Sequence, residues 1–396
     1  MKRIDDDFVK NLTIHKNDID LWFQKEYQHV TPCFYSSVDL RKSDYKIAPV
    51  DTNLFPAGFN NLSENSSIKA SEQVRLYLDN YYPGTTKILI YSEFHTRNKF
   101  YASNLIMLQK IFHQANCEVM FASSNHEQLE IEATDGSKLT LEVIERKNDT
   151  VQVNGYIPEL IISNNDFTSG VPAILTDIAQ KIIPSTSLGW HRRLKSQHFH
   201  NYDMVVEKFT NKFNFIDPFL ISALYDKCGE INFKEKEGLE CIAIKVEKLL
   251  HKLRNKYSEY GIKDEPYIFV KADNGTYGMG IITVRSGDEI YELNKKNRNK
   301  MDVIKSGTTT SNVIIQEGIK TSLKVEGNVA EPMIYLMNGN PVGYIYRVNT
   351  ELDEYGNLNS NGMIFKKNIC QDIAREECGL FSLIARLASL AASWEE

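Results

Sequence analysis

The sequence feature that most limits the possible fold is the stretch YIFVKADNGTYGMGIITV, from Tyr267 to Val284. It consists of two apolar runs of strand length on either side of a short loop that contains Gly275, Gly278 and Gly280. Glycine adopts backbone conformations closed to other residues and lets backbone amides approach an anion closely. The pattern therefore predicts two strands joined by a loop that folds over a phosphate group, with Lys271 at the end of the first strand supplying positive charge.

Two better-known phosphate loops do not fit this stretch. A Walker A loop requires GxxxxGK followed by Ser or Thr and a helix, and the dinucleotide-binding loop requires GxGxxG at the start of a helix. Neither pattern occurs between the two apolar runs. A β-hairpin turn without a ligand is the structural alternative, and the loop alone does not separate the two interpretations.

Length and composition are typical of a globular enzyme. The chain has 396 residues, enough for two or three packed subdomains, of which 42% are hydrophobic and 25% charged. A net charge of −6 argues against a protein that wraps nucleic acid, since such a protein needs a basic face. The first residues lack the apolar core of a secretory signal, and no uncharged apolar run reaches membrane-spanning length. We expect a cytoplasmic protein that binds neither nucleic acid nor membranes; its oligomeric state is not encoded in any pattern that we recognise.

Six cysteines are spread through the chain without a CxxC pair. This pattern indicates reduced thiols, with neither a disulfide framework nor a zinc site. Cys117 lies in an apolar run and is expected to be a core residue and not a nucleophile.

The first half of the chain predicts a parallel α/β sheet. Residues 1–48 read as polar helix, and a long polar loop follows from Asp51, either a binding loop or a surface crossing. A strand, helix and strand between 87 and 123 then form a βαβ pattern, with further strands at 139–144 and 159–166.

Polar residues follow two of these predicted strands, where the carboxyl ends of parallel strands form the ligand crevice of open sheets. They are candidates for binding the ammonium and carboxylate groups of an amino acid, since an arginine fork matches a carboxylate. His95 is expected to bind or support, and not to act as an acid–base catalyst. The candidates are Glu93, His95, Arg97, Asn98, Asn164 and Asp166.

The second half of the chain turns from a helical pattern to short apolar strands divided by turns. Asn338-Gly339 between two apolar runs predicts a tight hairpin, because both central turn residues need positive φ. The expected fold class is α/β, and α+β in the nucleotide domain. The expected divisions are an α/β substrate domain at 1–185, a helical lead-in at 186–265, a nucleotide domain with antiparallel strands at 266–370 and a C-terminal helix at 371–396.

Several segments in the second half resemble the ATP-grasp superfamily. VKADNGTYGMGI resembles its glycine-rich loop, with Asp273 close to where that family often has Pro. NVIIQEGI (312–319) resembles the hinge strand that holds adenine, and EPMIYLMNGNPVGYIYRVN (331–349) resembles the antiparallel pair that faces the phosphates. NLNSNG (357–362) is similar to the substrate loop of glutathione synthetases. Over most of its length the chain resembles the proteobacterial type of glutamate–cysteine ligase, through FPAGFNN (55–61), SEFHTRNKFY (92–101) and LGWHRRLKSQHF (188–199).

This resemblance implies a parallel-sheet domain followed by an ATP-grasp domain. It also implies that the protein uses ATP and Mg²⁺ to join L-glutamate and L-cysteine into γ-glutamylcysteine through an acyl phosphate, the first step of glutathione biosynthesis. Two alternatives stay open. One is another ATP-grasp carboxylate–amine ligase, such as a glutathione synthetase-like or dipeptide ligase, and the other is a non-catalytic nucleotide-binding protein.

The resemblance assigns three catalytic residues, because phosphoryl transfer needs positioning and charge neutralisation. Lys271 would contact the phosphates of ATP, Arg347 the transferring group, and Arg193 an anionic group. The alternative for Lys271 is a solvated lysine at a strand end. For Arg347 it is a surface ion pair, and for Arg193 a solvated helix face. A surface strand-end position is likewise the alternative for Glu317.

The remaining assignments follow from the same resemblance. The implied ATP-binding residues are Lys271, Asn274, Gly275, Thr276, Tyr277, Gly278, Met279, Gly280, Gln316, Glu317, Gly318 and Glu331. Further substrate-binding residues are Arg192, Lys195, Asn359 and Asn361. Glu331 and Asn349 are the expected metal ligands, because Mg²⁺ takes hard oxygen ligands beside substrate phosphates. The late Glu-x-Asn of many ATP-grasp enzymes is absent after Gly362, so Asp353, Glu354, Asn359 and Asn361 are the alternative ligands.

Overall fold

The structure is a computed structural model that describes residues 6–275, 280–302, 311–367 and 375–396. Four predicted nucleotide-binding residues lie outside the described residues: Thr276, Tyr277, Gly278 and Met279. The first residues of the predicted C-terminal helix also lie outside them.

Helices and strands alternate along the described part of the chain. The helices are α1 (Asp6–Ile14), α2 (Lys16–Glu26), α3 (Glu64–Tyr81), α4 (Lys99–Gln114), α5 (Lys195–Lys212), α6 (Pro218–Ile221), α7 (Leu239–Tyr260), α8 (Asp288–Tyr291), α9 (Lys295–Asp302) and α10 (Arg375–Ser393). The strands are β1 (Tyr35–Lys42), β2 (Ile47–Asn53), β3 (Lys87–Ser92), β4 (Glu118–Ala122), β5 (Leu129–Glu132), β6 (Lys138–Leu141), β7 (Glu145–Lys147), β8 (Thr150–Gln152), β9 (Leu160–Asn164), β10 (Lys181–Ile183), β11 (Tyr225–Cys228), β12 (Ile268–Ala272), β13 (Ile281–Val284), β14 (Val313–Glu317), β15 (Lys324–Val325), β16 (Asn328–Met337), β17 (Asn340–Asn349) and β18 (Met363–Lys367). None of the helices in the described ranges is both long and apolar enough to cross a membrane.

A parallel sheet in the order β10-β9-β3-β4 forms the first half of the fold. Ile88 and Ile90 of β3 point into a core shared with α3 and α4, while Leu89 and Tyr91 pack on the opposite face. Both faces are therefore buried, as is usual where crossover helices cover a parallel sheet. The predicted βαβ unit is confirmed.

A larger antiparallel sheet runs in the order β18-β17-β16-β1-β2 and carries α10 on one face. The predicted hairpin joins β16 to β17, with φ of 52° at Asn338 and 69° at Gly339. The hairpin register places Glu331 directly opposite Arg347. The turn joins the two strands, and a one-residue register shift between Tyr335 and Leu336 sets the pairing that places these two charges side by side.

The expectation of helix over residues 1–48 is wrong for β1 and for the start of β2. In β1, Val38 and Leu40 are fully buried against α10, while Asp39 and Arg41, on the other face of the strand, are buried polar residues. The strand alternates, but its polar face is buried as well, so the sequence looks like a polar surface segment. Because β1 and β2 pair with β16, residues in the predicted substrate domain are built into the sheet of the nucleotide half.

A third sheet, β11-β14-β12-β13, is antiparallel and packs against α7. Its strands β12 and β13 flank the glycine-rich loop, and Lys271 pairs with Ile281 at the open end of the two strands. The strand, loop and strand predicted from this stretch are confirmed for the flanking strands.

Three of the described cysteines depart from the expectation of reduced thiols: Cys228, Cys241 and Cys378 are disulfide-bonded. Cys228 at the end of β11 and Cys241 in the first turn of α7 form a disulfide, at a sequence separation of 13. Their spacing matches no short motif, and they become neighbours only because α7 packs on β11. Cys33 and Cys117 are buried free thiols, and burial raises the pKa of both.

Candidate active site

A cleft between the larger antiparallel sheet and the β11-β14-β12-β13 sheet brings together residues that are far apart in the sequence. Six of the predicted site residues lie in its wall: Lys195, Lys271, Gly275, Glu331, Arg347 and Asn359. Sequence reasoning missed four polar residues of the same wall: Asp39, Arg41, Asp51 and Asn357. Three of these four, Asp39, Arg41 and Asp51, come from β1 and β2, which the sequence did not predict as strands.

The cleft wall is densely charged. It contains four cationic side chains and three carboxylates, so its formal charge is positive. They are Arg41, Lys195, Lys271, Arg347, Asp39, Asp51 and Glu331. A wall of this kind suits a polyanion such as a nucleotide phosphate, particularly one that arrives with a divalent cation.

Two arginines and two carboxylates form a buried network at the base of the cleft. Arg41 Nε donates to Glu331 Oε2 at 2.7 Å, and Arg347 Nη1 donates to Asp39 Oδ2 at 2.6 Å and also to Glu331 Oε1. Burial, with the nearby Glu331 and Asp51 charges, outweighs Arg347 and raises the pKa of Asp39 to about 6. Arg347 Nε is buried without a hydrogen-bond partner in the described ranges, so the guanidinium retains one unused donor.

Lys271 extends from the end of β12 into the cleft. Its Nζ donates to Gln316 Oε1 at 2.7 Å and to the Val50 carbonyl at 3.3 Å. Burial lowers the pKa of Lys271 to about 8. Gln316 was predicted to bind adenine or ribose, and its observed contact is instead with the lysine.

Lys195 is held at the cleft from two sides. Its Nζ donates to Asp51 Oδ1 at 2.6 Å. Its backbone amide donates to the Asp273 carbonyl at 2.8 Å, and Ser196 donates to the Asp273 carboxylate through both its amide and its hydroxyl, each at 2.7 Å. Asp273 thus caps α5, whose own N-cap residue makes no side-chain cap. This capping role gives a physical reason for an acidic residue where ATP-grasp enzymes often have proline.

The comparison with protein families decides the assignment. The glutamate–cysteine ligase family profile matches residues 9–396. The chain belongs to the glutamate–cysteine ligase family. The family predicted by resemblance is confirmed, and with it an ATP-dependent ligase that acts on glutamate and cysteine.

A solved structure supports the same assignment. A protein from Methylobacillus flagellatus KT, proposed to be a gamma-glutamylcysteine synthetase and solved at 1.90 Å, is 39% identical, with 98% of this chain and 95% of that chain covered and a TM-score of 0.90. This match confirms the predicted α/β fold. No curated protein sequence is significantly similar to the chain.

Two distant structural matches carry no weight in the assignment because their TM-scores are low. D-alanyl-alanine synthetase A from Vibrio cholerae is 12% identical, covering 76% of this chain and 80% of that chain, with a TM-score of 0.33. A glutathione synthetase-like effector from Globodera pallida is 11% identical, covering 89% of this chain and 77% of that chain, with a TM-score of 0.36.

The hinge residues of this ligase differ from their predicted roles. Both carboxylate oxygens of Glu317 accept from Lys46 Nζ, at 2.8 and 2.7 Å, and one also accepts from the Leu224 amide at 2.9 Å. The Glu317 side chain is fully buried in this ion pair, and its predicted contact with adenine or ribose stays a prediction. Gly318 is required by packing, because a Cβ there would come within 2.2 Å of the Tyr267 ring.

The basic residues of the segment HRRLK (191–195), all predicted to meet anionic groups, lie in three environments. Lys195 lines the cleft, Arg192 is exposed, and Arg193 is buried behind the cleft wall. Arg193 does not face the cavity, since it donates to Glu395 and to the Thr52 carbonyl. These contacts indicate a supporting role, and the predicted catalytic role of Arg193 stays a prediction; no motif pointed to its partner Glu395.

The residues predicted to bind the amino-acid substrate lie at the edge of the parallel sheet, in a region separate from the cleft. Asn98 caps α4 by accepting from the amides of Phe100 and Tyr101, and Asn164 donates to the Pro56 carbonyl at 2.9 Å, which anchors the polar loop. These contacts use the Asn98 side-chain oxygen and the Asn164 amide nitrogen, and the substrate-binding roles of both residues stay predictions. The remaining members stay proposals: Glu93 and His95, which pair at 2.8 Å, exposed Arg97, and Asp166, which accepts from Thr168.

The predicted metal ligands have partners in the structure. Asn349 Oδ1 accepts from the amides of Glu351 and Leu352, and its Nδ2 donates to the carbonyl of Asn361, so it fixes a loop. Both oxygens of Glu331 are occupied by arginine. Asp39 and Asp51, in contrast, each have one carboxylate oxygen without a hydrogen bond to the described residues.

The cleft fits a magnesium ion shared with a substrate. Within 6–275, 280–302, 311–367 and 375–396, no three His, Cys, Asp or Glu side chains form a ready-made metal site. Mg²⁺ is commonly held by one or two carboxylates together with phosphate oxygens and water. The second oxygens of Asp39 and Asp51 match that requirement better than Glu331 and Asn349 do.

Proposed function

We propose that this cleft is where the ligase phosphorylates the side-chain carboxylate of glutamate and joins it to cysteine. The observation that carries the proposal is the convergence of Lys195, Lys271, Arg41 and Arg347 in one wall that also contains Gly275. These four cations come from four separate regions of the chain, and phosphate chemistry gives a common reason for their meeting.

The proposed reaction has two steps. A glutamate carboxylate oxygen attacks the γ-phosphorus of ATP, and the bond to the bridging oxygen breaks with its electron pair leaving on ADP. The cysteine amine then attacks the carbonyl carbon of the acyl phosphate, inorganic phosphate leaves with the electron pair of the broken C–O bond, and the nitrogen releases its proton to solvent. Both steps move negative charge between oxygens, so fixed cations are the principal catalytic requirement.

The geometry supports a division of roles among the cations. Lys271 and Lys195 lie at the glycine-loop side and would bind the phosphates of ATP. Arg347 and Arg41, held by Glu331, would orient the transferring phosphoryl group. Asp39 and Asp51 would hold Mg²⁺, which when bound neutralises phosphate charge. We further propose that the enzyme acts in the cytoplasm, where these small molecules are available.

An assay of paired substrates tests this function. Phosphate release with Mg-ATP is measured for glutamate with cysteine and for γ-glutamylcysteine with glycine, and the products are identified by mass spectrometry. We expect release with the first pair only, and a product of the mass of γ-glutamylcysteine. Release with the second pair alone would indicate a glutathione synthetase-like enzyme, whereas ATP binding without release from any pair would indicate a non-catalytic protein.

Replacing Gly280 with Val should raise the KM for ATP. Gly280 has φ of +61°, and an added Cβ would lie 3.3 Å from Ala272 Cβ. A β-branched residue held at positive φ costs about 1–3 kcal/mol, which corresponds to roughly tenfold or more in KM if the loop must keep this conformation to bind phosphate. Steady-state kinetics with varied ATP measures the effect. The equivalent change at Gly278 concerns a residue outside the described ranges.

Gly136→Val provides the matched control for this prediction. Gly136 has φ of +84° in the turn between β5 and β6, with no heavy atom within 4 Å of an added Cβ. Both variants carry backbone strain, so circular dichroism should show comparable folding. If Gly280→Val leaves the KM for ATP at the level of Gly136→Val, the loop is a structural hairpin and does not cover phosphate.

A further inference from the structure

A buried ion pair behind the cleft joins two segments that the proposed chemistry does not use. Arg193 donates from Nε to Glu395 Oε2 at 2.6 Å and from Nη2 to Glu395 Oε1 at 3.1 Å. The exposed fractions of the two side chains are only 3% and 5%. His198 Nδ1 lies 2.7 Å from Glu395 Oε1. Burial raises the pKa of Glu395, but Arg193 and His198 outweigh it and hold that pKa at about 2.

Arg193 connects this ion pair to the wall of the cleft. Its Nη1 donates to the Thr52 carbonyl at 2.6 Å, directly beside Asp51. Asp51 in turn accepts from Lys195 Nζ at 2.6 Å. The Trp190 ring lies against both cations, with its centroid 4.9 Å from Arg193 Cζ and 4.4 Å from Lys195 Nζ. One guanidinium therefore fixes the strand that carries Asp51 and the ring that supports Lys195.

The neighbouring charges show what would change if Glu395 lost its charge. Burial lowers the pKa of Arg193, but Glu395 and, to a smaller extent, Asp51 outweigh it and raise that pKa. Burial raises the pKa of Asp51, but Lys195 outweighs it, with Arg193 as a minor contributor, and lowers that pKa. A buried guanidinium without its main partner pays a large desolvation penalty, so it is drawn to the nearest remaining carboxylate. Asp51 would then be shared between Arg193 and Lys195.

We propose that Glu395 is a positioning residue for the nucleotide site, which holds Arg193 away from Asp51 and so sets the place of Lys195 in the cleft. The inference rests on the proposed function of the cleft, because it assigns to Lys195 the phosphate of ATP. Glu395 follows α10 and does not itself line the cleft, so it acts through Arg193. The capping of α5 by Asp273 fixes the Lys195 backbone independently, so loss of Glu395 should move the lysine side chain and leave the helix in place.

Glu395→Gln tests this proposal, because it keeps the shape of the side chain and removes the charge. We expect the Kd for ATP, measured by calorimetry on the full chain, and the KM for ATP to rise by at least about tenfold, since displacing a binding group by about an ångström can cost about a hundredfold. The KM for the amino acids should change by less than about a third of that factor. Calorimetry requires no turnover, so a failure of the proposed reaction is seen separately from a failure of the Glu395 proposal.

Asp20→Asn is the matched control. Asp20 pairs with Arg386 Nη1 at 2.5 Å and so ties the same helix, α10, to α2. The Asp20→Asn substitution should lower the melting temperature without changing the affinity for ATP. The proposal is overturned if Glu395→Gln binds ATP as the wild type does, or if Asp20→Asn weakens ATP binding equally. If Glu395→Gln fails to fold, Glu395→Asp is used instead, because it keeps the charge and shortens the side chain. Wild-type ATP affinity in Glu395→Asp would also overturn the proposal.

Discussion

Replacing Lys271 with Ala is expected to lower turnover by at least about tenfold, because losing a phosphate-facing charge should cost more than about 1.4 kcal/mol of transition-state stabilisation. Lys271 lies in the cleft wall at the start of the glycine-rich loop, held by Gln316 at 2.7 Å. The measurement is kcat and kcat/KM for Mg-ATP at pH 7. Kinetics equal to those of the wild type would remove Lys271 from the site.

Stability separates this effect from loss of folding. The pKa of Lys271, lowered to about 8 by burial, means that the folded state favours the neutral amine more than the unfolded chain does. At pH 7 the charge on Lys271 therefore works against folding, and its removal should not lower the melting temperature through the loss of that charge.

Lys271→Arg is the matched variant for the charge itself. As the pH rises through about 8, Lys271 in the free enzyme loses its proton and the KM for ATP should increase. An arginine keeps its charge over that range, so the alkaline increase should flatten in Lys271→Arg. The same alkaline increase in both proteins would assign the titration to another group.

Asp39→Asn is expected to raise the Mg²⁺ concentration needed for half-maximal activity by about tenfold or more, because one of the few carboxylates available to the ion is neutralised. Asp39 meets Arg347 through Oδ2 only, so Oδ1 remains for a cation. Its pKa of about 6 is raised above the ordinary value, so it becomes protonated as the pH falls through 6. The Mg²⁺ requirement of the wild type should therefore rise below about pH 6 and that of Asp39→Asn should not.

Glu331→Gln distinguishes the two candidate ligands. The sequence predicts Glu331 as the metal ligand, whereas the structure pairs both of its oxygens with Arg41 and Arg347. If Glu331 positions these arginines, its replacement should lower kcat at every Mg²⁺ concentration and leave the half-saturation point unchanged. A shift of the half-saturation point in Glu331→Gln, with none in Asp39→Asn, would restore the original assignment.

Several parts of the site could be predicted because they depend on short stretches of sequence. The glycines and Lys271 lie within one strand, loop and strand, whose apolar runs are visible by inspection. Asn338-Gly339 fixes the turn, and its distance from Glu331 and Arg347 places both charges at the same end of the hairpin. A one-residue register shift between Tyr335 and Leu336, which the sequence did not predict, then sets them directly opposite each other. In each case the contacts are made by residues separated by fewer than twenty positions.

Other parts of the site could not be predicted because the packing of distant segments defines them. Asp39 and Arg41 lie on a strand whose polar face is covered by β16 and β17 side chains, so its polar character resembles that of a solvent-exposed segment. Lys46 and Glu317, whose side chains form a buried ion pair, are 271 residues apart. A carboxylate free to bind a ligand and one already paired look the same in a sequence.

The sequence by itself determined the α/β class, the glycine-rich strand pair, the hairpin and the family, since local periodicity, turn chemistry and motif order are properties of neighbouring residues. The tertiary structure decided which charges face the cleft and which are paired behind it. Arg193 and Lys195 are two positions apart, yet one meets Glu395, 202 residues away, while the other meets Asp51 in the cleft wall. Only the packing of α10 and β2 around this segment separates a supporting arginine from a lysine that can reach a substrate.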